Sequence, residues 1–375
     1  MSIIHSMNVQ VSPNRKKIPP QIRKRIFAAV LLVLLAIAFK LLWGKQTPDM
    51  ETLIFSGNTM STSWQVKIVG HSFQEDHNRR LADILKDRLD FVNREMSPYF
   101  KGGDIYRLNA AQADTPVQVH EEVMQVLKRA IEISELTGGA FDVTVGPLIR
   151  LWGFHGKKAR TSIPSDDEIA NAKSLVGYRH LNLDLQNHTV KKAIDGLDVD
   201  LSAIAKGRAV DMVAEALDAA GESRYMVEVG GEIRCKGKND KDMDWRIGIE
   251  RPAESNDLQR RVKRVLPISG LSLATSGDYR SFYMLNHKRY SHTIDPRTGR
   301  PVEHGLASVS VLTGDCTTAD ALATGFTVLG VKESIAIADK EKVAAYFMER
   351  DRSGEFTTFS SREFDELFGN FEDME

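Results

Sequence analysis

The amino-acid sequence predicts an α+β domain, and three observations support this class. Segments with apolar residues at helical spacing occur in groups, near 81–96, near 121–136 and after Gly207. Beyond Gly221 the chain instead shows short alternating runs, typical of strands that follow one another as hairpins. The regular strand–helix alternation of a parallel sheet is not found in the sequence. With 375 residues, the chain has ample material for one large domain or two ordinary ones.

The first predicted element is a strand over 64–69, where polar and apolar residues alternate. The helix that follows should end at Ser97-Pro98, because proline does not continue a helix. A second helix over 121–136 should end at Gly138-Gly139, where a glycine can adopt the left-handed cap. A third helix begins after Gly207.

Strands predominate after Gly221. The predicted strands are Tyr225–Val229, Trp245–Glu250, Val262–Ile268, 289–294, 307–312 and 343–348. Two further helices are predicted over 318–329 and 332–338, and the sequence contains no internal repeat.

Charge and cysteine content exclude several classes of protein. The chain has 50 basic and 51 acidic residues, a net charge of −1, so no overall positive field favours nucleic acid as a partner. Cys235 and Cys316 are the only cysteines, which excludes a disulfide framework and a cysteine-rich metal site, although one disulfide between them remains open.

The N-terminal region has the pattern of a membrane anchor. An unbroken apolar run over 26–39 follows six basic residues: Arg15, Lys16, Lys17, Arg23, Lys24 and Arg25. Such basic residues stay in the cytoplasm and send the following chain across the membrane. We therefore expect a basic cytoplasmic arm over 1–25, a single transmembrane anchor over 26–43, a linker over 44–56 and an external domain over 57–370. A cleaved signal peptide is the alternative, because the apolar run is short and Ala36-Ile37-Ala38 resembles a cleavage site.

The stretch VDLSAIAKGRAVD, from Val199 to Asp211, combines a carboxylate, small residues, Lys206 and Gly207 just before an apolar periodic segment. It predicts a loop that leads into a helix N-terminus, where free N–H groups favour an anion. A lysine on such a loop suits phosphate. The alternative is an ordinary helix start with Lys206 in solvent, since the spacing is not that of a P-loop.

Three other glycine-containing stretches allow close approach of a ligand to the main chain, although each alone is typical of an ordinary turn. They are GAFDVTVGPL (139–148), VGGE (229–232) and ATSG (274–277).

His292 is the candidate general base. Histidine is the side chain best suited to accept a proton near neutral pH, and a carboxylate such as Asp295 can orient it or raise its basicity. The alternative is a structural histidine beside a turn aspartate.

Asp320 and Thr324 are four residues apart, so on a helix they share one face, with alanines between them. Oxygen donors without a nearby histidine or cysteine suit Mg²⁺ rather than Zn²⁺. The alternative is an aspartate that complements the helix dipole and a threonine bonded to its own turn.

Taken together, eight motifs in this order resemble the ApbE family, the FAD:protein FMN transferases. The motifs are SGNTMST (56–62), NREMSPY (93–99), GGAFDVTVGPL, VDLSAIAKG, VEVGGEI, ATSGDYR, YSHTIDPRTGRP and TADALATG, and they span most of the chain from Gly57 to about Phe368. The resemblance implies a single α+β catalytic domain in the periplasm, held here at a bacterial inner membrane. It also implies a reaction in which the FMN part of FAD is transferred, with Mg²⁺, to a threonine or serine hydroxyl of a flavoprotein subunit, with release of AMP.

The resemblance also implies roles for individual residues. FAD would be contacted by residues from five motifs: Met60, Tyr99, Ala140, Phe141, Asp142, Asp200, Lys206 and Ile294. The ligands of Mg²⁺ would be the side chains of Asp320 and Thr324 and the carbonyl oxygen of Ala203. His292 would be the base that activates the acceptor hydroxyl, and the acceptors would be subunits of NADH:quinone oxidoreductase or Rnf-type complexes.

Two other functions fit the same motifs. An Mg²⁺-dependent hydrolase that splits FAD into FMN and AMP would use the same residues, with water in place of the acceptor. A non-catalytic flavin-binding protein would need neither His292 nor the metal ligands. The chain also departs from the family pattern at Ser61, where members often have glycine, and at Lys101-Gly102-Gly103-Asp104. Many family members are lipoproteins with a cysteine just after the apolar segment, but here no cysteine occurs before Cys235, so we expect the apolar segment itself to be the tether.

Overall fold

The fold is dominated by short strands that pair in antiparallel fashion. The computed structural model describes residues 50–154, 162–252, 262–277, 282–285, 288–351 and 353–369, together with isolated positions between 21 and 33. The strands are β1 (Glu51–Thr59), β2 (Thr62–Gly70), β3 (Val117–Gln118), β4 (Leu181–Asp184), β5 (Thr189–Lys192), β6 (Tyr225–Val229), β7 (Glu232–Lys236), β8 (Trp245–Glu250), β9 (Val262–Ile268), β10 (Ser272–Gly277), β11 (Phe282–Leu285), β12 (Lys288–Ser291), β13 (Ile294–Asp295), β14 (Arg300–Pro301), β15 (Leu306–Thr313), β16 (Ala344–Arg350) and β17 (Phe356–Ser360). The helices are α1 (Glu75–Glu95), α2 (Asp104–Ala110), α3 (Glu121–Leu136), α4 (Gly146–Leu151), α5 (Asp166–Lys173), α6 (Ala205–Ala219), α7 (Cys316–Leu329), α8 (Val331–Glu341) and α9 (Arg362–Phe368).

Eight strands form the main sheet, in the order β1-β2-β6-β7-β10-β15-β16-β17. Every neighbouring pair in this sheet is antiparallel. Small two- and three-stranded sheets accompany it. An antiparallel sheet with grouped helices is the predicted α+β arrangement, so the fold class is confirmed.

The main sheet has a different layer on each face because strand side chains alternate between the faces. Helices α1, α3, α6 and α7 share the larger core with inward residues such as Val309 and Phe347. The β8–β9 hairpin and α9 share a second core with the neighbouring residues Leu312 and Tyr346. A third, smaller core joins α4, α5 and the β12–β13 region.

Helix α7 lies at the centre of the helical layer. It packs against β10 and β15 of the sheet and against helices α3 and α6. Its alanines and Gly325 let these neighbours approach closely, so a residue on α7 can meet residues from several other elements.

Two of the predicted boundaries were wrong. The expected linker over 44–56 ends earlier, because residues 51–56 belong to β1 and pair with β2. This edge strand exposes one face, so it lacks a strong apolar pattern, and Ser56-Gly57-Asn58 resembles a turn. The strand predicted over 289–294 is two strands, β12 and β13, which pair with different partners and leave His292 between them.

The predicted anchor over 26–43 lies mostly outside the described residues, as do the arm over 1–25 and residues 44–49 of the linker. Among the residues that are described, no helix is long and apolar enough to cross a membrane. Residues from Met50 onward form one compact unit.

Candidate active site

The start of α6 is attached directly to α7. The backbone N–H of Gly207 donates to Asp320 Oδ2 at 2.9 Å. A Cβ atom at Gly207 would lie 2.3 Å from the carbonyl oxygen of Cys316, so only glycine permits this contact. The sequence correctly predicted a helix start here, but Lys206 and Gly207 lie in the first turn of α6 and not in the preceding loop.

Lys206 lies between two buried carboxylates. Its Nζ atom is 2.6 Å from Glu232 Oε1 and 4.0 Å from Asp320 Oδ1. Burial lowers the pKa of Lys206, but the charges of Asp320 and Glu232 outweigh this effect and hold the pKa above its usual range. Burial raises the pKa of Glu232 to about 7 against the opposing effect of the Lys206 ammonium. Lys206 is therefore a cation fixed by its neighbours, and the alternative of a lysine in solvent is wrong.

Glu232 was missed by the sequence reasoning, which treated VGGE only as a flexible turn. The signal was present in the register of the hairpin. Glu232 pairs with Val229 across a two-residue turn, so the two residues share one face of the sheet, and that face is apolar at Val229 and Val227. A carboxylate directly opposite a buried valine is unusual, although alternation along β7 itself places Glu232 on the same face as Arg234.

The β1–β2 hairpin reaches the same group of residues. Met60 and Ser61 form its two-residue turn with positive φ angles of 47° and 60°. A Cβ atom at Gly230 would lie 2.9 Å from Thr62 Cγ2 and 3.2 Å from Lys206 Cδ. The turn that carries Met60 therefore packs beside Lys206, through Thr62 and Gly230.

The predicted Mg²⁺ ligands surround the N-terminal half of α7. Asp320 is buried, and Thr324 lies one turn further along and is partly exposed. The N–H of Gly207 lies in the first turn of α6, where a helix supplies no carbonyl partner for it, and it donates to Asp320 instead. Ala203 lies in the turn just before α6, four residues before Gly207.

These donors fit Mg²⁺, which commonly binds one or two carboxylates, several waters and a phosphate of the substrate. Within the described ranges, no group of three or more His, Cys, Asp or Glu side chains is placed to hold a metal ion. A cation bound here would depend on one carboxylate and on neutral oxygen donors.

The segment after α3, which carries Ala140, Phe141 and Asp142, packs against α7 at Gly325. A Cβ atom at Gly325 would lie 3.2 Å from Phe141 Cβ. The side chains of Ala140 and Phe141 are buried, so a ligand would meet mainly their backbone. The carboxylate of Asp142 accepts hydrogen bonds from Thr144 N, Thr144 Oγ1 and Tyr178 N. Burial raises the pKa of Asp142, and these bonds oppose the shift.

Tyr99 and Asp200 form a second group with Arg150. Burial and the charge of Asp200 raise the pKa of Tyr99. Burial lowers the pKa of Arg150, while Tyr99 and Asp200 oppose that change. Tyr99 is 65% exposed and can contact a ligand from solvent. Arg150, which also forms an ion pair with Asp198, was not predicted from the sequence, because it lies just beyond the GGAFDVTVGPL motif and its charged partners are distant along the chain.

His292 lies between β12 and β13, and its ring makes an edge contact with Phe154 at 6.4 Å between centroids. The carboxylate of Asp295 accepts hydrogen bonds from the backbone N and the guanidinium of Arg297, so this carboxylate stabilises the turn that follows β13. Ile294 is buried in the third core. Segment 137–154 therefore contacts the His292 ring at one end, through Phe154, and α7 at the other, where Phe141 approaches Gly325; no hydrogen bond or ring contact between His292 and α7 is seen among the described residues.

Comparison with known proteins agrees with the motif order. A sequence model of the ApbE family matches residues 60–347. The FAD:protein FMN transferase of Vibrio cholerae is 40% identical over 333 residues, which cover 88% of this chain and 97% of that protein. The protein of the same name from Haemophilus influenzae is 38% identical over 341 residues, which cover 89% of this chain and 96% of that protein.

Solved structures show the same relationship. The flavin transferase ApbE from Vibrio cholerae superposes with a TM-score of 0.76 at 37% identity and covers 85% of this chain and 100% of that chain. The apo form of the Pseudomonas stutzeri flavinyl transferase ApbE also gives a TM-score of 0.76, at 34% identity, and covers 85% of this chain and 98% of that chain. The motif order, the family model, the sequence relatives and the fold thus agree, and the chain belongs to the ApbE family.

Proposed function

We propose that this protein is an FAD:protein FMN transferase, which moves the FMN part of FAD to a threonine or serine hydroxyl of an acceptor protein and releases AMP. The observation that carries the proposal is the buried group of Lys206, Glu232 and Asp320, joined to the first turn of α6 by the Gly207 hydrogen bond. A fixed cation and a carboxylate beside a helix N-terminus suit a diphosphate and its metal ion. The names of the relatives support the same activity.

In the proposed mechanism, the ammonium of Lys206 binds the diphosphate of FAD. Asp320, Thr324 and the carbonyl oxygen of Ala203 would hold Mg²⁺, which when bound would neutralise charge on the phosphates. His292 accepts the proton of the acceptor hydroxyl while the hydroxyl oxygen attacks the FMN-side phosphorus, and the bond from that phosphorus to the bridging oxygen breaks, so that AMP leaves with this oxygen. General-base catalysis of this kind typically contributes about 10²- to 10⁴-fold.

The other residues predicted to contact FAD would bind the parts of FAD that extend beyond Lys206 and Asp320. Met60 would contact it from the β1–β2 turn, and Tyr99 with Asp200 from the second group. Ala140, Phe141 and Asp142 would do so mainly through the main chain, because their side chains are buried. Ile294 is also buried, so the main chain next to His292 would make that contact.

The proposals for the acceptor protein and for the location of the enzyme rest on the resemblance to the ApbE family. We propose that the acceptors are subunits of NADH:quinone oxidoreductase or Rnf-type complexes, and that the catalytic domain lies in the periplasm of a bacterium. The basic residues before the apolar run over 26–39 support an N-terminal anchor in the inner membrane. Mass spectrometry of the intact protein from membranes tests this proposal, because removal of the first 38 or so residues would show a cleaved signal peptide instead.

The activity is tested by incubating the full-length chain with FAD and Mg²⁺, with and without an acceptor subunit. Transfer predicts AMP release only with the acceptor, together with a fluorescent protein band. An acceptor in which valine replaces the target threonine is the matched control and should release no AMP. Equal AMP release without acceptor would show a hydrolase, and no release under any condition would show a flavin-binding protein.

A further inference from the structure

The ammonium of Lys206 has two carboxylates nearby but lies much closer to one of them. Its ammonium lies 2.6 Å from Glu232 and 4.0 Å from Asp320, although both partners are buried. An ammonium attracted to two carboxylates can lie midway between them or form a close ion pair with one of them. The structure places it on Glu232, and Asp320 Oδ1 is left at a distance beyond a normal hydrogen bond.

The hairpin that carries Glu232 is shaped to hold it there. Gly230 and Gly231 have positive φ angles of 64° and 105° and form a two-residue turn. The N–H of Gly231 donates to Glu228 Oε1 at 2.7 Å, which fixes the turn. Gly230 lies against the aliphatic part of Lys206, so the turn supports both members of the ion pair.

Glu232 is an unusual residue to bury at this position. It is 2% exposed, and in the described part of the chain its Oε2 atom has no hydrogen-bond partner. Burying a carboxylate with one unpaired oxygen costs free energy, so its presence in a folded protein calls for an explanation. The contact that Glu232 does make is with Lys206.

An ammonium and a divalent cation compete for the same carboxylate oxygen, because both are attracted to its negative charge. If Glu232 lost its charge, Asp320 would be the carboxylate left to attract Lys206. The lysine would then close onto Asp320 Oδ1 and oppose binding of a metal ion at that oxygen.

We propose that Glu232 is a positioning residue that holds the Lys206 ammonium away from Asp320 and so keeps Asp320 open to the divalent cation. The inference rests on the proposed function, in which Asp320 binds Mg²⁺. It assigns the glutamate of the β6–β7 turn to metal binding, without direct contact between that glutamate and the metal.

The test measures binding of Mn²⁺, as a probe of the Mg²⁺ site, to the full-length protein by isothermal titration calorimetry in the absence of FAD. Glu232→Gln should weaken Mn²⁺ binding by roughly 10- to 100-fold, the range typical for residues that orient a metal ligand. Glu228→Gln is the matched control: it removes a negative charge from the opposite face of the same hairpin, while the amide oxygen can still accept the bond from Gly231 N–H, so Mn²⁺ binding should be unchanged.

A double substitution separates competition by Lys206 from a direct charge effect. When Lys206→Met is already present, Glu232→Gln should cause no further loss of Mn²⁺ affinity, because no ammonium remains to occupy Asp320. If Glu232 acted only through its own negative charge, the loss would persist in the Lys206→Met background, and the proposal would be wrong.

Two other results of the Mn²⁺ titrations would also contradict the inference. If the wild type binds Mn²⁺ and Glu232→Gln binds it equally well, the inference fails while the metal assignment stands. If the wild type binds no Mn²⁺ without FAD, the inference fails, because it requires Asp320 to bind the cation before FAD does; AMP release with FAD and Mg²⁺ then decides the proposed function separately. Glu232→Asp keeps the charge but shortens the side chain by one methylene, and it should weaken binding in the same direction. It supplies the test if circular dichroism shows that Glu232→Gln does not fold.

Discussion

Gly207→Ala is the substitution for which the structure gives the clearest expectation. The new methyl group would lie 2.3 Å from the carbonyl oxygen of Cys316 and 2.8 Å from Asp320 Cβ, whereas real Cβ atoms essentially never approach closer than 3.0 Å. Helices α6 and α7 must therefore separate locally by about 0.7 Å or more, and a well-packed core resists such a shift.

The expected loss of stability follows from two opposing effects. Overpacking of this kind costs about 1–3 kcal/mol, and the better helix propensity of alanine returns at most about 1 kcal/mol. The closest atom is a backbone oxygen, which cannot move away as a flexible side chain could, so the cost lies near the upper end, and we expect the free energy of unfolding to fall by roughly 2 kcal/mol (about 3 less about 1). The rate of flavin transfer should fall more steeply, by about 100-fold, because Asp320 is displaced from its productive position.

Urea denaturation followed by circular dichroism measures the stability, and AMP release at saturating FAD measures the rate. Gly314→Ala is the matched control, since this exposed glycine lies just before α7 and a methyl group there meets no atom within 4 Å. Wild-type stability and a rate within twofold of wild type for Gly207→Ala would refute the reasoning. That result would mean that the approach of α6 to α7 is not what positions Asp320.

Four other substitutions have definite expected outcomes. His292→Ala should lower the transfer rate by about 10²- to 10⁴-fold and keep FAD affinity within a few-fold, measured by flavin fluorescence, because a general base acts mainly in the transition state; full activity would remove His292 from the mechanism. Asp320→Ala should raise the Mg²⁺ concentration for half-maximal activity by about tenfold or more, and an unchanged value would contradict the ligand assignment. Asp211→Ala should destabilise the protein by about 3–5 kcal/mol in urea denaturation, because it leaves Arg234 and the first N–H groups of α7 without their partner; a loss below about 1 kcal/mol would show that water replaces the carboxylate. Ser61→Gly should raise the free energy of unfolding by about 0.5–1 kcal/mol, because a positive φ angle strains serine but not glycine, and a lower melting temperature would argue against strain in this turn.

Much of the fold could be predicted because its central elements have strong local patterns. Helix α6 and helix α7 both have apolar residues at helical spacing, and β6, β8 and β9 were predicted with the boundaries they have. The left-handed glycines after α3 were also expected, and Gly138 and Gly139 do have positive φ angles. The short strands β3, β13 and β14 could not be predicted, because two residues carry no periodicity.

The candidate site was predictable only in part. Motif order predicted roles for Lys206, Asp320 and His292, because reactive side chains beside small residues form a recognisable pattern. It did not identify Glu232 or Arg150. Both residues matter because their charges lie near charges from segments that are distant along the chain. Local sequence patterns do not show which distant segments come together.

The sequence alone determined the α+β class, the family and the residues that can carry phosphate chemistry, because periodicity and motif order are properties of the chain itself. The tertiary structure decided which of these residues meet. It paired Lys206 with Glu232 and bound Gly207 to Asp320, and it placed Asp295 on Arg297. The physical reason is that hydrogen bonds and ion pairs depend on distances of about 3 Å. Such distances are set by the packing of α6, α7 and the β6–β7 turn against one sheet.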